Sequence, residues 1–240
     1  REALLKKAIS VRPTECGCER SAYGDFLASV GRMDEAVEQY QRAQAMMPLS
    51  VAVSERLAHA LYLSGREEQG ERVVAQTLQV WPDAVSLRLV KLKSALWTRR
   101  YDEALAMLDE PGLHLTTEQT EALKATFHAL RSGDSAERAG AAVTLRAMAA
   151  DPRRNNRIVV AALAALGESD VALDAAQRLI RSRGPMVADV LFDSNMTKVS
   201  GTPQYAALVS RLGLASYWRS SRSAPDICRQ VSTSDFCAAA

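Results

Sequence analysis

Residues 17–50 read GCERSAYGDFLASVGRMDEAVEQYQRAQAMMPLS, and this stretch decides the fold because its marker residues return at a fixed interval. Gly31 lies near its middle and Pro48 near its end. Gly65 and Pro82 occupy the corresponding places 34 residues further along the chain. A repeat of this length with a glycine turn midway and a proline near its end predicts a pair of helices joined by a short turn.

The same interval continues beyond the first two units. Gly133 and Gly167 follow Gly65 after 68 and 34 residues, and Arg99 holds the intervening slot. The prolines recur at nearly the same spacing, at Pro13, Pro48, Pro82, Pro152 and Pro185. Coincidence of two markers at one period indicates a repeat architecture rather than a set of unrelated helices.

The segments between the markers carry helical periodicity. Ala36, Tyr40 and Ala43 form a small-and-large stripe on one face of a helix. Thr116 followed by Gln119 has the spacing of a capping box at a helix start. Proline ends the preceding helix because it lacks the N–H donor and disfavours helical geometry before it. We therefore predict an all-α protein.

These units resemble the tetratricopeptide repeat. The resemblance covers residues 1–186. It is best in the units 17–50 and 51–84 and looser in 85–118, 119–152 and 153–186. In the third unit, 85–118, Pro111-Gly112 interrupts the second helix. It implies a right-handed α-α superhelix, a solenoid of stacked helix pairs. Residues 1–13 match only the second helix of a unit, so we expect a half-repeat there and more protein before Arg1. The matching packing residues are Tyr23, Gly24, Leu27, Ala36, Tyr40 and Ala43, then Leu57, Ala58, Leu61, Gly70 and Val74.

The period stops after Met186, and residues 187–240 are expected to form a capping helix and an irregular tail. Thr202 as N-cap, Pro203 at the first helical position and Gly213 just past the end predict a short helix. A solenoid needs such a cap over its last repeat. The run Tyr217-Trp218, followed by Pro225-Asp226-Ile227, resembles the closing segment of the repeat-bearing halves of bacterial winged-helix transcriptional regulators.

Composition and motifs exclude several function classes. The 240 residues are 48% hydrophobic and 24% charged with a net charge of +2, so neither a membrane-embedded protein nor a general nucleic-acid binder is expected. Phosphate-loop, dinucleotide-binding, zinc-protease and serine-hydrolase motifs are lacking. We therefore predict no enzyme, no cofactor and no metal site.

The four cysteines pose a question of compartment. Cys228 and Cys237 are a candidate disulfide if the domain faces an oxidising compartment, because their separation in an irregular tail closes easily. Cys16 and Cys18 are poorly placed to pair with each other. The alternative is four reduced thiols in a cytoplasmic protein.

In tetratricopeptide repeats the first helix of each unit lines a concave groove, and that resemblance places the candidate partner-binding residues. If Leu123, Phe127 and Leu130 form the core stripe of the fourth unit, Glu121 joins the outward-facing set; in the other register Phe127 lines the groove. The groove would be acidic at its N-terminal end and basic at its C-terminal end, which predicts a protein or extended peptide with an acidic stretch. The candidate groove residues are Asp25, Glu55, His59, Tyr62, Lys93, Lys124, His128, Arg131, Arg154 and Arg157.

Together these features predict a non-enzymatic protein- or peptide-binding module. Its tail suggests the sensory or regulatory half of a bacterial transcription regulator, cytoplasmic or facing the periplasm. The alternatives are a free-standing scaffold or assembly adaptor of the envelope or cytoplasm, and the regulatory arm of a signalling enzyme. No direct nucleic-acid binding and no membrane insertion are expected of these 240 residues.

Overall fold

The computed structural model describes residues 1–11, 17–229 and 237, and these contain helices and no strand. The prediction of an all-α protein is confirmed. Three 3₁₀ segments, Pro185–Phe192, Ser194–Lys198 and Asp226–Arg229, lie in the C-terminal part. The α-helices are α1 (Glu2–Val11), α2 (Cys18–Ser29), α3 (Met33–Met46), α4 (Val51–Leu63), α5 (Glu67–Val80), α6 (Val85–Thr98), α7 (Tyr101–Asp109), α8 (Thr117–Ser132), α9 (Ser135–Ala150), α10 (Arg157–Leu166), α11 (Ser169–Arg183), α12 (Pro203–Arg211) and α13 (Leu214–Ser221).

The 34-residue marker is a left-handed residue that separates the two helices of each pair. Gly31 has φ of +80° after α2, and Gly65, Gly133 and Gly167 take the same role after α4, α8 and α10. Arg99 has φ of +59° after α6, so the slot that lacks glycine keeps the conformation. A non-glycine residue there costs about 1–2 kcal/mol, which packing of the surrounding helices must offset.

Small residues let the paired helices approach closely. A Cβ atom on Gly24 of α2 would lie 2.5 Å from the Tyr40 ring of α3, and one on Gly70 of α5 would lie 3.1 Å from the Tyr62 ring of α4. Each glycine therefore provides the space that an aromatic ring of its partner helix fills. The capping box at Thr116 and Gln119 is present at the start of α8.

Consecutive helices pack against one another, and the first helices of the expected units also contact each other. Helix α4 touches α2 and α6, and α10 touches α8. Helix α10 also contacts α6, although these helices belong to the third and fifth expected units. This contact across the inner side divides the surface on which a continuous groove was expected. In the fourth unit Leu123, Phe127 and Leu130 are buried, as the first of the two registers requires.

The C-terminal segment (residues 185–229) does more than cap the last helix pair. Thr202 caps α12, with its side chain accepting from the Tyr205 N–H, as expected. Residues 185–192 contact both α11 and α2, which lie at opposite ends of the helix sequence. Trp218 is fully buried and its Nε1 donates to the Val30 carbonyl at 2.9 Å. The segment thus joins the last helix pair to the first.

A network of hydrogen bonds reinforces the contact between the C-terminal segment and the first helix pair. The Asp226 N–H donates to the Gly31 carbonyl at 2.8 Å, and the Asp34 N–H donates to the Asp226 carboxylate at 2.9 Å. Arg32 donates to the Tyr217 hydroxyl at 2.7 Å and to Glu2 of α1 at 2.9 Å. One hydrophobic core runs continuously from the first helix pair into this segment.

Candidate functional site

A pocket of about 530 Å³ lies between the first helices α2, α4, α6 and α10 and the stretch 185–192. Its volume is within the range of ligand sites in proteins. Apart from Tyr40 of α3, the α-helical residues that line it belong to the first helices of four expected units, which the tetratricopeptide resemblance placed on the concave side. The lining residues are Asp25, Ala28, Tyr40, Glu55, Arg56, His59, Ala60, Ser86, Leu89, Val90, Lys93, Leu115, Asn156, Arg157, Ile158, Met186, Val187 and Asp189.

The walls of the pocket are largely apolar. Leu89 and Val90 come from α6, Ile158 from α10, and Met186 and Val187 from the C-terminal segment. Leu89, Ile158, Met186 and Val187 remain partly exposed although they border the core. Apolar surface of this kind, left accessible inside a concavity, favours burial of an apolar ligand group.

One side of the pocket holds a chain of polar side chains. Lys93 Nζ lies 3.2 Å from His59 Nδ1, and His59 Nε2 lies 2.9 Å from Asp189 Oδ2. Arg157 completes the chain with Nη2 2.9 Å and Nε 3.0 Å from the two oxygens of the same carboxylate. Arginine and aspartate therefore meet in the two-pronged geometry that binds carboxylates most strongly.

These contacts assign His59 a neutral ring with its proton on Nε2. The ammonium form of Lys93 can only donate, so opposite it Nδ1 accepts and Nε2–H donates to Asp189. Burial, together with the nearby Lys93 charge, lowers the pKa of His59 to about 4 despite the opposing effect of Asp189. Burial alone would raise the pKa of Asp189, but Arg157 and His59 outweigh it and hold that pKa well below its usual range.

Besides His59, Lys93 contacts an acidic residue that lies outside the pocket lining. Its Nζ lies 3.8 Å from Asp193 Oδ2 and 5.5 Å from the centre of the Trp97 ring. Burial lowers the pKa of Lys93 and raises the pKa of Asp193, so it pushes both partners toward their neutral forms. The pair contributes no net charge whether both partners are ionised or both are neutral.

The other carboxylates of the pocket differ in their partners. Asp25 accepts from Arg56 Nε and from the Tyr40 hydroxyl, each at 2.8 Å. Glu55 forms neither a hydrogen bond nor an ion pair with any residue in the described ranges, although its charge acts on Arg157. Because Arg56 neutralises Asp25 and Arg157 neutralises Asp189, the unbalanced charge of the pocket is the negative charge of Glu55.

The structure brings together half of the residues that the sequence placed in a groove. Asp25, Glu55, His59, Lys93 and Arg157 all line the pocket.

Tyr62, expected in the same groove, is 1% exposed and packs instead in a small core with Val74 and Leu87, with its hydroxyl donating to Glu71. Its ring faces Gly70 of the partner helix α5, so it serves the packing of the pair.

The remaining groove residues lie outside the pocket and have partners within the chain. Lys124 pairs with Asp109, Arg131 with Asp102 and Arg154 with Glu118, each at 2.6 Å. His128 accepts from Arg131 at 3.0 Å. A partner's acidic stretch would have to displace these carboxylates, as it would displace Asp189 from Arg157.

Sequence reasoning missed Asp189, the residue on which Arg157 and His59 converge. A signal was present, because Asp189 stands alone in the apolar run 186–192. A carboxylate in such a run is buried with its neighbours and needs a cation and hydrogen-bond donors. It is 3% exposed and has both.

Cys228 and Cys237 form a disulfide with a Cα–Cα distance of 5.5 Å. Cys18 is disulfide-bonded as well, which the sequence interpretation did not expect, while Cys16 lies outside the described residues. In the described part of the chain no cluster of histidine, cysteine and acidic side chains could hold a metal ion. Nor does any helix found there have the length and apolar character to cross a bilayer.

Comparisons with known proteins did not identify a family for this chain. A scan against protein-family models and a search of curated proteins each found no match to the chain.

Proposed function

We propose that this chain is a non-enzymatic peptide-binding module built of tetratricopeptide-like helix pairs in a superhelix. The observation that carries the proposal is the pocket of about 530 Å³ lined by the first helices of four units. Because α6 and α10 meet, the occupant enters one pocket and does not lie along the whole inner surface.

The hydrogen bonds of His59 support a binding role over a catalytic one. Both ring nitrogens are engaged, one by Lys93 and one by Asp189. A general base needs a free nitrogen within reach of the proton that it removes. The pocket's histidine therefore positions its neighbours, and neither of its ring nitrogens is free to take a proton from a substrate.

The test is selection of random peptides displayed on phage against the wild-type chain and against Ser86→Trp. Ser86 lines the pocket on α6, so an indole there fills the space without disturbing the core. Val143→Trp is the matched control, because Val143 is 63% exposed on α9 and lies outside the pocket lining. We expect the selected peptides to bind the wild type and the control, and not to bind the Ser86→Trp variant. Peptides that bind all three equally would contradict the proposal.

We also propose that the module is the sensory or regulatory half of a bacterial transcription regulator. The support is the resemblance of the Tyr217-Trp218 and Pro225-Asp226-Ile227 segment, stated above. Residues 185–192 of the C-terminal segment line the pocket and contact α2, so an occupant acts on both ends of the helix sequence at once. Sequencing the gene upstream of Arg1 tests this role. A winged-helix domain would support it, and a signal peptide or a catalytic domain would contradict it.

The disulfide-bonded cysteines favour an oxidising compartment. Cys18 and the Cys228–Cys237 pair are disulfide-bonded, and such bonds persist in oxidising compartments. We therefore propose that the domain faces the periplasm. Alkylation of thiols in freshly lysed native cells followed by mass spectrometry should find Cys228 unmodified, whereas complete alkylation would contradict this placement.

A further inference from the structure

We propose that the peptide recognised by the pocket presents a basic side chain, lysine or arginine, to Glu55, with an apolar residue beside it. This inference rests on the proposed peptide-binding function and names the chemistry that the site selects. The sequence predicted an acidic stretch of the partner against the basic residues of the groove; the proposal uses instead the acidic end, where the sequence placed Asp25 and Glu55.

The cations of the pocket already have partners within the chain. Arg56 is committed to Asp25 at 2.8 Å, Arg157 to Asp189 at 2.9 Å, and Lys93 to His59 and Asp193. The cations that could receive an acidic ligand are therefore already neutralised by this chain. Detaching Arg157 would leave Asp189, which is 3% exposed, as a buried charge without its main partner, and such a loss is strongly unfavourable.

Glu55, in contrast to the cations of the pocket, has no partner among the described residues. It lies in the pocket lining, is partly exposed, and makes no ion pair or hydrogen bond within the described residues. A cation that reaches it gains a charge-assisted hydrogen bond without breaking an existing one. Asp25, on the neighbouring first helix α2, adds a second acceptor, because its Oδ2 is not used by Arg56 or Tyr40.

The apolar walls fit the rest of such a side chain. Lysine and arginine carry their charge on a flexible apolar stem that packs along apolar surface while the head stays polar. Leu89 of α6 and Val187 of the C-terminal segment provide that surface in the same pocket. The space of about 530 Å³ leaves room for an apolar neighbour beside the stem.

The test compares the peptides selected by the wild type, by Glu55→Gln and by Glu38→Gln. Glu38 is exposed on α3, outside the pocket, so its variant removes the same charge at an unrelated place. Peptides from the wild type and from Glu38→Gln should be enriched in lysine or arginine beside an apolar residue. Selection on Glu55→Gln should lose that enrichment while still yielding peptides that bind in the pocket.

A double-mutant cycle then measures the contact itself. In the best wild-type peptide, replacing the basic residue by norleucine keeps the stem and removes the charge. The affinity for the wild type should fall by about tenfold or more, as loss of a charged hydrogen bond does, while the affinity for Glu55→Gln changes little. Equal losses in both proteins would overturn the assignment of Glu55.

The outcomes separate this inference from the function on which it rests. Peptides that are lost on Ser86→Trp but show no preference for basic residues would overturn the inference and leave the peptide-binding function standing. The absence of any such peptide would overturn both. Binding of n-hexylammonium that depends on Glu55, with no peptide selected, would replace the peptide by a free amine and also overturn the proposal.

Discussion

Replacing His59 by glutamine should remove a large part of the chain's loss of stability in mild acid. The amide of glutamine can serve the same two partners as the neutral ring, with its oxygen accepting from Lys93 and its NH₂ donating to Asp189. Unlike histidine it cannot bind a proton near neutral pH. The variant therefore keeps the polar chain and deletes its titration.

The expected change in the free energy of unfolding between pH 7 and pH 5 follows from the pKa of His59. This pKa is about 4 in the folded chain and 6.5 in an unperturbed histidine, so the unfolded state takes up its proton first as the pH falls. Stability from this group is complete above pH 6.5 and declines until the pH passes about 4. Between pH 7 and pH 5 the free energy of unfolding should fall by about 2 kcal/mol through His59 alone.

Urea denaturation followed by circular dichroism at pH 7 and pH 5 measures this difference. His114→Gln is the control, because His114 is exposed in the loop between α7 and α8 and should keep the wild-type dependence on pH. If wild type and His59→Gln lost the same stability between the two pH values, the assignment of a buried neutral His59 would be refuted.

Three further substitutions test the packing and the polar chain by urea denaturation. Gly31→Ala should cost at least about 2 kcal/mol more than Gly65→Ala, since both have positive φ but only at Gly31 would a Cβ lie 2.7 Å from neighbouring side chains; equal costs would contradict the close contact. Trp218→Phe should cost about 1–3 kcal/mol by leaving the Val30 carbonyl without its donor, and an unchanged midpoint would argue against that bond. Asp189→Asn should cost about 1.5–3 kcal/mol, because the half-exposed Arg157 loses a charge-assisted hydrogen bond, and a neutral effect would show the pair to be dispensable.

The helix pairs could be predicted from the sequence because their signals are local. The left-handed turns at Gly31 and Gly65, and the capping box at Thr116 and Gln119, depend on backbone geometry within a few residues. Arg99 stands at the position where the repeat pattern has glycine elsewhere, and it has the same positive φ. Such signals also located the end of α7 and the start of α12.

The candidate site could be predicted only in part. The register of the first helices placed Asp25, Glu55, His59, Lys93 and Arg157 on the inner side, and the structure gathers all five.

The register could not show which of these charges would be neutralised within the chain. Ion-pair partners such as Asp109 for Lys124 and Glu118 for Arg154 come from other helices, so they follow from how neighbouring units stack.

The sequence by itself therefore determined the helical class, the spacing of the left-handed turns and five of the residues that line the pocket. Only the tertiary structure decided that α10 meets α6, that residues 185–192 reach α2, and that Asp189 meets His59 across 130 residues of chain. The physical reason is that periodicity and capping act within one or two helical turns, whereas these contacts join helices far apart in the sequence and depend on how all the intervening helices pack. That packing places residues 185–192 against α2, and the pocket lies between this stretch and the helices α2, α4, α6 and α10.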